Sequence, residues 1–289
     1  RLVAALAALA FAWAAPAASP QKVLRVPFVI AETNFDPAFA SDTYSYTVID
    51  EIFEPPLTYD MLARPYKLRL QTAESMPEVT EGGRVYTVRL KKGIRFADDP
   101  AFGGKPRELH ARDYEYAIKR LIDPKITSPN AWLVEGRIEG IDAAAAEAKK
   151  AGRLDYDKPI PGIEVVDAHT IRFRLAKPDY NFLYILAMPT IGAQAREVVE
   201  RYGSDIGAHP VGTGPFVFEE WEQDSHLTVR RNDNYWRDEL PLLDEITFRV
   251  IPDPTERRRL LETGDLDIME ATAAYDIADL EDNPDYQVF

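Results

Sequence analysis

Apolar positions recur along the chain with two periods, about two and about 3.6 residues, and the switches between them mark out strands and helices. Residues 23–30 form a β-branched, apolar run that predicts a buried first strand, with Pro27 pointing to an edge or a bulge. Within 43–53, Tyr46, Ile49 and Phe53 fall at helical spacing, and Pro55-Pro56 stops that helix. Residues 57–59 and 66–70 predict short strands. Residues 85–90 alternate as a half-buried strand does, after the Gly82-Gly83 turn, and 91–96 reads as another strand across Gly93. Residues 111–122 place Tyr114, Ile118, Leu121 and Ile122 on one face of an amphipathic helix that Asp123-Pro124 ends.

Farther on, 142–151 is an Ala-rich, exposed helix with Gly152 at its C-terminal cap, and 162–175 is a hairpin about Asp167-Ala168-His169. Helical periodicity returns at 195–202. Strands are expected at 216–219, 227–231 and 246–251, a charged helix at 254–262, a short strand at 265–268, and the start of another helix at 276–281. Residues 285–289 read as the opening of a further strand. Strands and helices mix without a repeating β-then-α period and without internal repeats, which makes the class α/β or α+β with mixed sheets, not a barrel or a bundle.

At roughly 150 residues per domain, 289 residues suggest about two domains. Apolar residues make up 46% and charged residues 28%, enough to build a core and exclude disorder along the whole length. The 34 basic against 48 acidic residues leave a net charge of −14 with no basic stripe, which argues against a nucleic-acid partner. There is no Cys, so disulfides, thiolate metal sites and Cys nucleophiles are excluded. The four His, at 110, 169, 209 and 226, are never three to five residues apart, so spacing predicts no histidine-based metal site.

Residues 1–17 combine a basic start at Arg1, an apolar Ala/Leu stretch too short to span a bilayer, and an Ala15-Pro16-Ala17 site, as a secretory signal peptide does. With no Cys to carry a lipid anchor, a periplasmic protein is expected. The missing initiator Met and the unpaired last strand suggest a fragment.

Catalytic apparatus is not apparent. Gly212-Thr213-Gly214 resembles the start of a phosphate loop but lacks the third Gly and the Lys-Ser/Thr, and reads as a tight turn. Asp98-Asp99, and Asp265 with Asp267, lack EF-hand spacing, and Arg257-Arg258-Arg259 reads as a solvated helix face. No Gly-x-Ser-x-Gly or His-Glu-x-x-His occurs. Tyr44, Tyr46, Trp132, Tyr180, Trp221, Tyr235 and Trp236 cluster in turn-like segments, where aromatics either line a ligand cleft or anchor loops to a core. Binding is expected, and no enzymatic activity.

Several motifs stand in an order that carries a resemblance: Phe35-Asp36-Pro37, Ile52-Phe53-Glu54-Pro55-Pro56-Leu57, the run from Tyr86 to Phe96, Asp113-Tyr114 with Lys119-Arg120, Gly212-Thr213-Gly214-Pro215-Phe216, Arg231-Asn232-Asp233-Asn234-Tyr235-Trp236, and Leu261-Glu262-Thr263-Gly264-Asp265-Leu266-Asp267. Together they resemble the oligopeptide and dipeptide branch of the bacterial ABC-transporter extracellular solute-binding proteins, family 5. The likeness covers nearly all of the chain after the leader. His110 departs from it, standing where the family usually has a capping Thr.

The resemblance implies an α/β, periplasmic-binding-protein type II-like two-lobe fold with mixed sheets, truncated here to mainly the first lobe. Residues 18–52 and 165–250 would form the lobe core, 53–164 an inserted subdomain, and 251–289 the hinge and the beginning of the second lobe. It also implies a monomeric receptor that takes up a peptide ligand by lobe closure and delivers it to an ABC transporter membrane permease, with no cofactor. Ser41, Asp42 and Thr43 would border the cleft, as would Asn130 and Trp132. An extended peptide offers the same amide groups whatever its sequence, so main-chain pairing serves many ligands. The alternatives are another solute (a nickel complex, haem, an opine or a sugar oligomer), a secreted hydrolase with an unrecognised acidic dyad, or a structural envelope protein.

Overall fold

The structure, a computed structural model, describes residues 21–270 and 272–288; the expected signal peptide at 1–17 lies outside the described residues. The chain opens with β1 (Val23–Phe28), α1 (Thr43–Ile52), β2 (Leu57–Asp60), β3 (Lys67–Leu70), β4 (Glu78–Thr80) and β5 (Val85–Arg89). It continues through α2 (Ala111–Arg120), α3 (Ile141–Ala151), β6 (Ile163–Asp167), β7 (Thr170–Arg174), α4 (Phe182–Ile185) and α5 (Arg196–Tyr202). Then come β8 (Phe216–Glu222), β9 (His226–Arg231), β10 (Glu245–Val250), α6 (Pro254–Glu262) and α7 (Ala274–Glu281).

The first sheet has the order β1-β10-β9-β8. β1 lies at its edge, as Pro27 requires of a residue with no N–H to donate. It pairs in parallel with β10, Val23 opposite Glu245 through Phe28 opposite Val250. Parallel neighbours need a crossover. In this chain the crossover contains the whole second sheet, of order β4-β5-β7-β6, together with the β2-β3 hairpin.

Each sheet organises its own core. Val48, Ile49 and Ile52 of α1 pack with Phe28, Phe216, Leu227, Val229, Ile246 and Phe248 of the first sheet. Tyr114 and Ile118 of α2, with Leu121 just past its end, share a larger cluster with Tyr86, Val88, Ile171 and Phe173 of the second sheet, a cluster that runs on to Val198. The expected boundary between 164 and 165 therefore needs correction, because it would cut through β6, which pairs with β7 as β7 pairs with β5. The second body extends to about residue 198, and the first sheet resumes at Phe216.

Four local expectations also change. Residues 91–96 are not a strand: Gly93 takes φ +79°, and only an isolated bridge from Arg95 to Glu108 follows. Residues 265–268 make one strand-like bond, Asp267 N–H to Arg25 O at 3.0 Å, because Gly264 at φ +77° turns the chain and Leu266 packs beside Leu260 and Ile251. Residues 285–288 form no strand. β5 is not half-buried, since Val85, Tyr86, Thr87 and Val88 are all buried and successive residues point to opposite faces, which means both faces are covered.

One buried carboxylate gathers donors from both sides of the junction between the two bodies. Glu54 is 1% exposed and accepts hydrogen bonds from Gln71 Nε2 (2.7 Å), Thr213 Oγ1 (2.9 Å), Tyr235 O–H (2.8 Å) and Trp236 Nε1 (2.9 Å). Burial raises its pKa, against the opposing effect of these donors. Beside it the 212–214 turn lies against the end of α1 so closely that a Cβ on Gly212 would sit 1.9 Å from Ile52 O. Gly212 is thus fixed by close approach, in keeping with its reading as a turn.

Candidate functional site

The loop from Glu32 to Thr43 is built around two carboxylates. Asp36, at its base, is gripped in a fork by Arg120 of α2, Nη1 to Oδ1 at 2.6 Å and Nη2 to Oδ2 at 2.7 Å. Both side chains are buried, 6% and 3% exposed. Arg120 Nη1 also donates to Gln194 Oε1, and Ala38 N–H to Asp36 Oδ1 at 3.1 Å. A buried guanidinium with a matching carboxylate fixes orientation as well as position.

Asp42 caps α1. Its Oδ1 accepts Ser45 N–H at 2.8 Å, and its Oδ2 accepts Ser45 Oγ at 2.7 Å and Thr33 Oγ1 at 2.6 Å, which supplies an acceptor for an otherwise orphaned helix N–H. Partial burial alone would raise the Asp42 pKa, but these donors outweigh it and hold the carboxyl below its ordinary value. With its oxygens so used, Asp42 is a brace. Ser41 and Thr43 on either side are exposed.

A second loop is laced onto the first. Ser128 Oγ donates to Ala38 O at 2.5 Å, and Asn130 Nδ2 donates to Ala40 O at 2.8 Å and to Tyr46 O–H at 2.9 Å. The Tyr46 hydroxyl in turn meets Thr190 Oγ1 at 2.7 Å. Burial raises the Tyr46 pKa further from neutrality, so the hydroxyl stays protonated. Asn130 is buried with its amide nitrogen committed to these partners, whereas Trp132, two residues on, is 60% exposed. The structure thus brings Asn130 against the loop that carries Ser41, Asp42 and Thr43. It leaves Ser41, Thr43 and Trp132 presenting surface.

Tyr46 stood among the loop aromatics read as cleft-lining or loop-anchoring, whereas Thr190, its cross-loop partner, and Glu32 had no sequence signal as site residues. Glu32 is 2% exposed and accepts from Trp221 Nε1 at 2.5 Å, while its Oε2 has no hydrogen-bond partner among the described residues. Away from this rim, Glu108, His110 and His169 bring one ligand atom each within 4.8 Å of one another. The spacing rule applied to the sequence missed them because the hairpin turn carrying His169 folds onto the start of α2. Among the described residues, no helix is long and apolar enough to cross a membrane.

Comparison with known proteins agrees with this architecture. The family model "Bacterial extracellular solute-binding proteins, family 5 Middle" matches residues 67–289. The chain is 31% identical over 233 residues to the glutathione-binding protein GsiB of Escherichia coli O1:K1, covering 81% of this chain and 39% of that protein. In fold it is similar to the substrate-binding domain of an oligopeptide ABC transporter from Bacillus anthracis, with a TM-score of 0.78 and 23% identity over 92% of this chain and 48% of that one. It is also similar to DppA from Helicobacter pylori in complex with the peptide STSA, with a TM-score of 0.74 and 26% identity over 91% of this chain and 49% of that one. The chain thus spans about two fifths of the curated relative and about half of each structural neighbour.

Proposed function

Because this chain belongs to the bacterial extracellular solute-binding proteins, family 5, we propose that it supplies one jaw of a periplasmic receptor that closes on a short peptide and hands it to an ABC transporter permease. The observation that carries this reading is the rim at the start of α1. Ser41 and Thr43 are exposed on a loop whose base is fixed by the Asp36–Arg120 fork and whose flank is fixed by Asn130. Exposed hydroxyls on a rigid loop suit the repeated amides of an extended guest, and the neighbouring Trp132 offers an apolar face to its side chains. The rim hydroxyls that meet a carboxylate, Thr33 and Ser45 on Asp42, are committed to bracing the start of α1, and the reading is capture and release by lobe closure. Secretion through the 1–17 leader and a monomeric state belong to the same reading.

Glutathione, itself a small peptide-like solute, is the second candidate, favoured by the 31% identity to a glutathione-binding protein. Native mass spectrometry of the gently purified protein, followed by thermal shift with a tripeptide pool and with glutathione, separates the two. A bound peptide mass and a peptide-induced rise in Tm are expected, both reduced by Thr43→Arg. Folded protein that neither carries nor responds to any peptide overturns the peptide assignment, and a response to glutathione alone transfers it.

A further inference from the structure

We propose that Glu108, His110 and His169 form a binding site for a divalent transition-metal ion of the zinc class, on the second body and independent of the peptide rim. His169 Nε2 lies 3.1 Å from Glu108 Oε1, the two His rings meet edge to face at 5.7 Å between centroids, and the three ligand atoms lie within 4.8 Å of one another. Tetrahedral zinc with bonds of about 2.0–2.1 Å sets its ligand atoms roughly 3.4 Å apart, so no pair need close by more than about 1.4 Å, within reach of side-chain rotation. Two imidazoles and a carboxylate are a zinc donor set that leaves one position for water.

The backbone around the three ligands is held before any ion arrives. Leu90 N–H donates to His169 O at 2.8 Å and Ala111 N–H to Ala168 O at 2.8 Å, which clamps the β6-β7 turn between the end of β5 and the start of α2. His169 N–H donates to Asp167 Oδ1 at 2.7 Å, and His110 N–H to Asp113 Oδ2 at 2.8 Å. Gly93 N–H donates to Glu108 Oε1 at 2.8 Å and orients that carboxylate toward the His rings. Such outer contacts fix ligand direction in metal sites.

Charge does not oppose a cation there. Arg107, the adjacent guanidinium, is taken up by Asp113 at 2.7 Å and Glu197 at 3.0 Å, and Asp167 adds a carboxylate beside His169. All three ligands are half-buried, which leaves an entry path. A bound ion would tie the hairpin turn to α2 and stiffen the second body.

The test uses the whole chain stripped with chelator and titrated calorimetrically with ZnCl2, with Co2+ as a spectroscopic probe. One equivalent is expected to bind, Co2+ to give visible d–d bands of a site with nitrogen ligands, and His110→Ala and His169→Ala each to weaken binding by about tenfold or more. His226→Ala, at the other carboxylate-flanked His, is expected to leave binding unchanged. Equal Zn2+ affinity in wild type and both site variants overturns the proposal, as does loss on His226→Ala instead. If a variant fails to fold, the wild-type Co2+ spectrum decides alone, and absence of nitrogen-ligand bands overturns the proposal.

Discussion

Replacing Arg120 by Met would expose how far the 36–43 loop depends on a single ion pair. The fork closes at 2.6 and 2.7 Å with both side chains almost fully buried. Removing one partner leaves the Asp36 carboxylate without its counter-ion in a dry setting and Gln194 Oε1 without its donor. Breaking a buried pair in this way costs about 3–5 kcal/mol, against about 0–1 kcal/mol for exposed pairs. A domain's whole net stability is about 5–15 kcal/mol, so the loss is a large fraction of it. Urea denaturation of Arg120→Met, Asp36→Ala and the double variant forms a thermodynamic cycle, in which a coupling of about 2 kcal/mol or more is expected because the residues share one contact. Amide exchange at residues 38–43 should accelerate in both single variants. A coupling below about 0.5 kcal/mol, with unchanged exchange, would refute the claim that this pair sets the loop.

Gly212→Ala places a Cβ 1.9 Å from Ile52 O and should lose more than about 3 kcal/mol in thermal unfolding, while Gly93→Ala, at φ +79° in open space, should lose about 1–2 kcal/mol; equal losses would contradict the close-approach argument. Burial, with Asp50 beside it, pushes the half-buried Glu51 from 4.5 up to about 7, so the folded state holds a proton that the unfolded state has released. Stability from this group is therefore full below about pH 4.5 and falls as pH rises toward about 7, by on the order of 1–3 kcal/mol. Glu54 shifts in the same sense, so Glu51→Gln should flatten the stability-versus-pH curve without abolishing its slope. An unchanged slope would count against it.

Local pattern exposed most elements because each is decided by neighbours within a few turns. Residues 43–52, 111–120 and 163–174 fold where their periodicity places them. What failed was either short or tertiary: α4 spans four residues, β4 three with exposed Glu78, and 91–96 alternates yet turns at Gly93. The family-like motifs were visible singly but their purpose was not. Glu54, Thr213 and Tyr235-Trp236 meet at one carboxylate across separations of 159 to 182 residues, and Asp36 meets Arg120 across 84. The exposed Ser41 and Thr43 could be anticipated at a helix start, whereas Asn130's bracing of that loop depends on two distant segments packing together. His110 and His169 likewise become neighbours only once β6-β7 docks on α2.

The proposed receptor reading seats the peptide against the start of α1 and the 128–132 loop. Hydrogen exchange of the protein with and without a saturating tripeptide pool reads this directly. Added protection is predicted at residues 40–46 and 130–133, lost with Thr43→Arg. Bound peptide that leaves those residues unchanged and protects others would place the peptide site elsewhere.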